Sequence, residues 1–242
     1  MNNPIVFIHG SGDSARVWRL QLEYFSKNRA YAIDLPGHGQ RTDSLPEEVS
    51  VMDYARSAHE IIFDELHLDH PVIAGHSLGG AVALAMALEY GSELGGLILI
   101  GTGARLRVHP DLLKGAKETP QQANLQLQQL TIAATTNPSI FAGPAGEQAK
   151  TEPNMLYRDL SACNIFDVMP RLSEIHLPTL VICGDEDRLT PVKYSEYLHS
   201  HIAGSTLRII PQAGHYVFRE QPEDVNSAIA EWMHRNQAST LP

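Results

Sequence analysis

Six short runs along the chain are almost continuously apolar, and between them apolar positions recur at helical spacing. The runs Ile5–His9, Ala30–Asp34, Pro71–Ala74, Gly96–Ile100, Thr179–Cys183 and Thr206–Ile210 predict strands. They do not alternate with polar residues, as expected of strands buried on both faces of a sheet. Helices are predicted over Ala15–Phe25, Val51–Leu66, Leu78–Tyr90, Val192–His201 and Pro222–Asn236. Pro222 suits a first helical turn, and Glu223 and Asp224 suit the positive end of its dipole. Strands alternating with helices predict an α/β fold with a parallel sheet covered on both sides.

One stretch breaks this alternation. From Ala104 to Leu172 no run predicts a strand. A Gln-rich helical segment (Gln121–Ile132) is followed by a Pro/Gly-rich break (Asn137–Gly146) and a second helical segment (Asn154–Leu172). That is too long for an ordinary connection, so residues 104–172 are expected to form a helical lid inserted into a core made of residues 1–103 and 173–242.

Composition narrows the function. Hydrophobic residues are 43% of the 242, enough for a sizeable core, and charged residues are 19%. The net charge of −10 disfavours binding to a phosphate backbone or to anionic lipid. Two cysteines, Cys163 and Cys183, are too few for a disulfide scaffold. The first residues carry no basic segment leading into a signal-length apolar run, and no run reaches membrane-spanning length. The expectation is a cytoplasmic protein, a monomer or homodimer, with neither a nucleic-acid nor a membrane partner. No metal or other cofactor is expected, because the histidines do not pair with acids at ligand spacing on one helix.

The strongest chemical signal is Gly75-His76-Ser77-Leu78-Gly79-Gly80, which follows a strand and opens a helix. Glycines around a central serine permit a sharp strand-to-helix turn that lifts the hydroxyl above the sheet at a helix N-terminus. A serine hydroxyl needs a base to become nucleophilic. Among the 12 histidines, His215 lies in a loop after the last predicted strand, at the carboxyl edge where α/β folds gather their ligands. A carboxylate to hold its tautomer is expected from Gly184-Asp185-Glu186-Asp187, where residue type leaves three acids open. The N–H of Leu78, and that of Ser11 in the loop His9-Gly10-Ser11-Gly12, are the candidate donors to an oxyanion. His76, Leu125, Leu130, Phe141, Phe166 and Val217 are the candidate pocket-lining residues.

These stretches, with Asp34-Leu35-Pro36-Gly37-His38-Gly39, Leu177-Pro178-Thr179 and Gly214-His215, resemble the α/β-hydrolase superfamily over essentially the whole chain. The likeness is to its small carboxylesterases and enol-lactonases. The family's chain order of Ser, Asp and His is the order found here. Its acid is the fourth residue of a G-x-x-D-x-x-x-P stretch, which implies Asp187 rather than Asp185. Serine at position 77 is unlike the aspartate of the related dehalogenases and epoxide hydrolases. Members usually begin with an antiparallel hairpin, and this sequence starts its first strand without one, so about six strands, all parallel, are expected. The resemblance implies a serine esterase acting on small-molecule esters, and the mostly apolar lid segment, with little basic character, suggests small to medium, uncharged acyl groups. Lactone hydrolysis, C–C bond hydrolysis and perhydrolysis would use the same three residues. A ligand-binding sensor that turns over slowly or not at all is the alternative of another class, and hydrolysis of p-nitrophenyl esters separates it.

Overall fold

The computed structural model describes residues 3–141 and 153–238, built around a sheet of six strands. These are β1 (Ile5–Ile8), β2 (Ala30–Ile33), β3 (Val72–His76), β4 (Gly96–Ile100), β5 (Thr179–Gly184) and β6 (Thr206–Ile210). Their order is β2-β1-β3-β4-β5-β6, and every pairing is parallel. The strands therefore fall where the apolar runs placed them.

Successive side chains of a strand point to opposite faces, and β1 shows how both faces are used. Val6 and Ile8 enter one core with Tyr54, Ala58, Val82, Met86 and Leu198. Ile5 and Phe7 enter the other with Trp18, Val225, Ile229 and Trp232. The helices packed on the two faces are α1 (Arg19–Tyr24), α2 (Val51–Glu60), α3 (Leu78–Tyr90), α7 (Val192–His201), α8 (Val217–Glu220) and α9 (Pro222–Ala238). A Ser50–Asp53 capping box starts α2.

Two helices expected as single pieces change geometry. The first begins as a 3₁₀ turn over Ala15–Trp18 before α1, placing the neighbours Val17 and Trp18 both in the core. The Trp18 ring stacks on Phe218 at 4.2 Å. The second widens after Glu60 into a π turn over Ile61–Glu65, closed by Leu66 N–H donating to Ile61 O.

Between β4 and β5 the chain forms α4 (Pro110–Glu118), α5 (Pro120–Thr131) and α6 (Pro153–Ile165). The expectation omitted α4, although Pro110 at its first turn and His109, whose Nδ1 accepts Asp111 N–H, are start signals. The second helical segment, expected through Leu172, ends at Ile165. There Arg105 and Asp167 pair as an antiparallel bridge and Val168 N–H donates to Ala104 O, closing the neck of the insertion. Residues 142–146 of the expected Pro/Gly-rich break lie outside the described residues. The inserted helices share a small core of Ala116, Ala123, Leu156 and Leu160, while Ala162, Cys163 and Phe166 join the core below.

Candidate active site

Ser77 stands between β3 and α3 with φ 52° and ψ −114°, a conformation costly for a residue with a Cβ and held only by its surroundings. Those surroundings need glycine. A Cβ on Gly75 would lie 2.1 Å from Gly79 O, and one on Gly79 would lie 2.3 Å from Ile8 O. The turn is fixed further by Ser77 N–H donating to Ile100 O at 3.0 Å and Thr102 Oγ1 donating to Ser77 O at 2.8 Å. Leu78 N–H is at the first position of α3, where an amide has no intrahelical acceptor.

At the ends of β5 and β6 the acid loop meets the histidine loop. His215 Nδ1 donates to Asp187 Oδ2 at 2.8 Å, with both side chains buried. Asp187 Oδ1 accepts the N–H groups of Leu189 (2.8 Å) and Thr190 (2.9 Å), and Oδ2 also accepts the Thr190 hydroxyl at 2.7 Å. Burial pushes this carboxyl up. The His215 charge and hydrogen bond, together with Thr190, outweigh that and hold it well below the usual carboxylate range. The three neighbouring acids are thus separated. Asp185 is exposed and weakly accepts Ala213 N–H at 3.4 Å, and Glu186 accepts Ala134 N–H at 3.1 Å.

Residues at and just after the end of α5 hold the histidine loop. His215 N–H donates to Thr131 O at 2.7 Å. Glu220 bridges the two pieces, accepting Gly214 N–H at 3.0 Å, Ala133 N–H at 2.8 Å and the Thr136 hydroxyl at 2.6 Å. From below, His76 Nε2 donates to His215 O at 3.0 Å. Burial, and then the neighbouring His215, keep His76 neutral by lowering it well below the usual imidazole range. That leaves its buried Nδ1 without a partner among the described residues.

Asp13 ties the β1 loop to the residue after His215, accepting the Tyr216 hydroxyl at 2.5 Å. Burial raises its carboxyl to about 6, with the Tyr216 bond opposing. A carboxyl raised in the native state holds its proton longer than the unfolded chain does, so its contribution to stability falls between about pH 4 and 6 and stays low above. Asp13→Asn should remove this slope. The thermal midpoint of the variant, relative to the parent's, is expected to rise by roughly 5 °C between pH 4.5 and pH 8 in scanning calorimetry. An unchanged difference would reject the assignment.

Ser77 and His215 open into two adjoining cavities of about 60 and 440 Å³, which share Ser11, Ser77, Leu127, Leu160, Leu189 and His215. Ser11 thus lines both cavities together with Ser77. The expected pocket residues divide. His76 lines the smaller cavity and Leu130 the larger. Leu125 is instead 60% exposed on the outer face of α5, while Phe166 and Val217 are buried in the two cores. The Phe141 side chain lies outside the described residues. Cys163 lines the larger cavity, its Sγ 3.9 Å from Ser11 Oγ. Burial pushes its thiol up to about 12, so it is present as the neutral thiol.

Sequence reasoning did not single out Thr102, Glu220 or Asp159, which brace the site from remote segments with no local motif. Thr190 had a signal, since it stands inside the stretch that pointed to Asp187. Among the described residues, no cluster of three or more His, Cys, Asp or Glu could hold a metal, and no helix is long and apolar enough to cross a membrane.

A parallel sheet with a strained serine between strand and helix, and an acid–histidine pair at the same edge, defines a hydrolase architecture. The chain belongs to the alpha/beta hydrolase family, whose model matches residues 5–228. A solved structure described as a thermophilic esterase superposes with a TM-score of 0.80 at 36% identity, covering 96% of this chain and 90% of that one. Est816, described as an N-acyl homoserine lactone degrading enzyme, superposes with a TM-score of 0.80 at 25% identity, covering 96% of this chain and 93% of its own. RutD of Escherichia coli K12, which its name proposes as a carbamate hydrolase, is 26% identical over 251 residues, 97% of this chain and 94% of RutD.

Proposed function

We propose that the chain is a serine hydrolase that cleaves carboxylic esters of small to medium acyl groups. Ser77 Oγ attacks the carbonyl carbon while His215 Nε2 takes its proton. The negative charge that develops on the carbonyl oxygen is met by the N–H groups of Ser11 and Leu78. His215 returns the proton to the departing alkoxide, leaving an acyl group on Ser77. Water, deprotonated by the same nitrogen, then releases the acid. Asp187 keeps the Nδ1 proton in place and stabilises the imidazolium. Residues 104–172 act as the lid over this chemistry.

The observation that carries the reading is the buried Asp187–His215 hydrogen bond of 2.8 Å beside the cavities that Ser77 enters. The larger cavity, about 440 Å³, is walled mainly by apolar side chains such as Leu106, Val108, Leu127 and Leu160, with Arg107, Asp111 and Arg188 also in its lining, and suits a small to medium organic group. The lactone and carbamate relatives favour a second reading, in which the same serine opens a lactone or cleaves a carbamate.

A fluorophosphonate probe should label the protein once, on the peptide containing Ser77, and abolish p-nitrophenyl butyrate hydrolysis in proportion. Labelling at another residue, or full activity after labelling, would reject the reading. Comparing p-nitrophenyl butyrate with an acyl homoserine lactone and a phenyl carbamate by kcat/KM then ranks the substrate classes.

A further inference from the structure

Asp159 is a fully buried acid on α6, with its oxygens engaged by three donors. Oδ2 accepts Gly12 N–H at 2.8 Å and the His38 Nε2 proton at 2.9 Å, and Oδ1 accepts the Tyr54 hydroxyl at 2.6 Å. His38 Nδ1 faces Pro36 O at 3.1 Å, so both ring nitrogens face acceptors and only the imidazolium satisfies both. Burial works against that charge, but Asp159 raises His38 above the usual imidazole range. Its neighbour His9, with rings 4.8 Å apart, is the opposite case. There Nδ1 donates to Gly10 O and Nε2 accepts Leu35 N–H, which is a neutral tautomer. Burial and then His38 lower it to about 4. The Arg158 guanidinium completes the surroundings, donating to the Tyr54 hydroxyl and to Asp43.

A buried ion pair is a weak source of stability, because desolvation offsets much of its attraction. Its position is what matters here. Gly12 follows Ser11 and has φ 69°, and Leu156, Asp159 and Cys163 form one stripe of α6 that touches this loop. We propose that Asp159, charge-paired with His38, is a positioning residue that holds the Gly10–Gly12 loop so that Ser11 N–H stays aimed at the oxyanion developing beside Ser77. The proposal rests on the serine-hydrolase reading above. It makes the inserted helix part of the apparatus that stabilises the transition state, as well as a wall of the pocket.

The test compares Asp159→Ala, Asp159→Asn and Ser161→Ala by kcat and KM for p-nitrophenyl butyrate and by inhibition with butylboronic acid, which forms a tetrahedral adduct on a reactive serine. Asp159→Ala should lower kcat about 100-fold, near the loss from one missing oxyanion donor, with KM changed less than about threefold. Boronate affinity should fall about as far as kcat, because both report the tetrahedral state. Asp159→Asn keeps an acceptor for Gly12 N–H but no charge for His38, and should lose roughly tenfold. Ser161→Ala removes a side-chain hydroxyl from the same helix whose bond is to Tyr157 O, away from Gly12 and His38. It should leave kcat within about threefold.

A folded Asp159→Ala with kcat within threefold of the parent overturns the proposal, as does an equal loss of kcat in Ser161→Ala. If the alanine variant does not fold, Asp159→Asn decides the matter, and a kcat within twofold of the parent overturns it. Failure of the underlying reading looks different. The parent itself would then neither hydrolyse the ester nor react with the fluorophosphonate, and the proposal would fall with it.

Discussion

Ser77→Ala is expected to lower kcat for p-nitrophenyl butyrate by roughly 10⁴- to 10⁶-fold while leaving a folded protein. Of the five other hydroxyl residues lining the cavities, four are committed or badly placed to substitute, and the fifth, Tyr194, is a phenol on α7, away from the strand-to-helix turn. Thr190 donates to Asp187, Thr131 to Gln128 O and Tyr216 to Asp13. Ser11 Oγ lies against Cys163, on a loop rather than on the strand-to-helix turn. Alanine retains the Cβ and the φ of 52°, so the strain at the turn stays and little packing is lost. The thermal midpoint should move by no more than a few degrees, in line with a residue whose side chain faces a cavity. Any remaining turnover would reflect the donors and the pocket acting on attack by water, which in serine enzymes still exceeds the uncatalysed rate by about 10³-fold. A variant keeping a tenth of the parent's kcat would show that the chemistry is elsewhere.

How far the sequence reveals this site depends on distance along the chain. Ser77, Asp187 and His215 each stand within a few residues of a strand end, so locating β3, β5 and β6 from their apolar runs locates them at one edge. The glycines of the elbow are visible for the same reason, since their constraint is local. The pocket was legible only at His76 and Leu130, because hydrophobicity does not say which way a side chain turns. On α5 the chain offers Leu125, Leu127 and Leu130. The last two line the larger cavity, while Leu125, about 200° around the helix from Leu127, is exposed. Val217 follows His215 closely but drops into the core with Trp18 and Phe218. The braces were not legible at all. Asp159 meets Gly12 across 147 residues and Glu220 meets Ala133 across 87, contacts created by the path of the insertion. A carboxylate in the middle of a helix gives no sign in sequence that it will be buried and fully bonded.

The second large effect is expected from Asp187→Asn, and the hydrogen bonds around the carboxylate dictate its mechanism. Oδ1 accepts two backbone N–H groups, from Leu189 and Thr190. In the variant the amide oxygen must occupy that place, because an NH₂ group there would face two donors. The NH₂ is then forced to the Oδ2 position, opposite His215 Nδ1. It can only donate, so it selects the tautomer with Nδ1 unprotonated and the proton on Nε2, the nitrogen that must accept the Ser77 proton. The base is thereby switched off with little change in shape, and kcat should fall on the order of 10⁴-fold. The Thr190 hydroxyl, which donates to Oδ2 at 2.7 Å, must also reorient, adding a modest loss of stability. Asp185→Asn is the matched control. That side chain is exposed and its one weak contact, with Ala213 N–H at 3.4 Å, survives as an amide oxygen. Its kcat should stay within about threefold of the parent's, as for a surface substitution away from the reacting groups. A steady-state comparison of the two variants settles the acid, and a large loss in Asp185→Asn with little in Asp187→Asn would move the assignment two residues upstream.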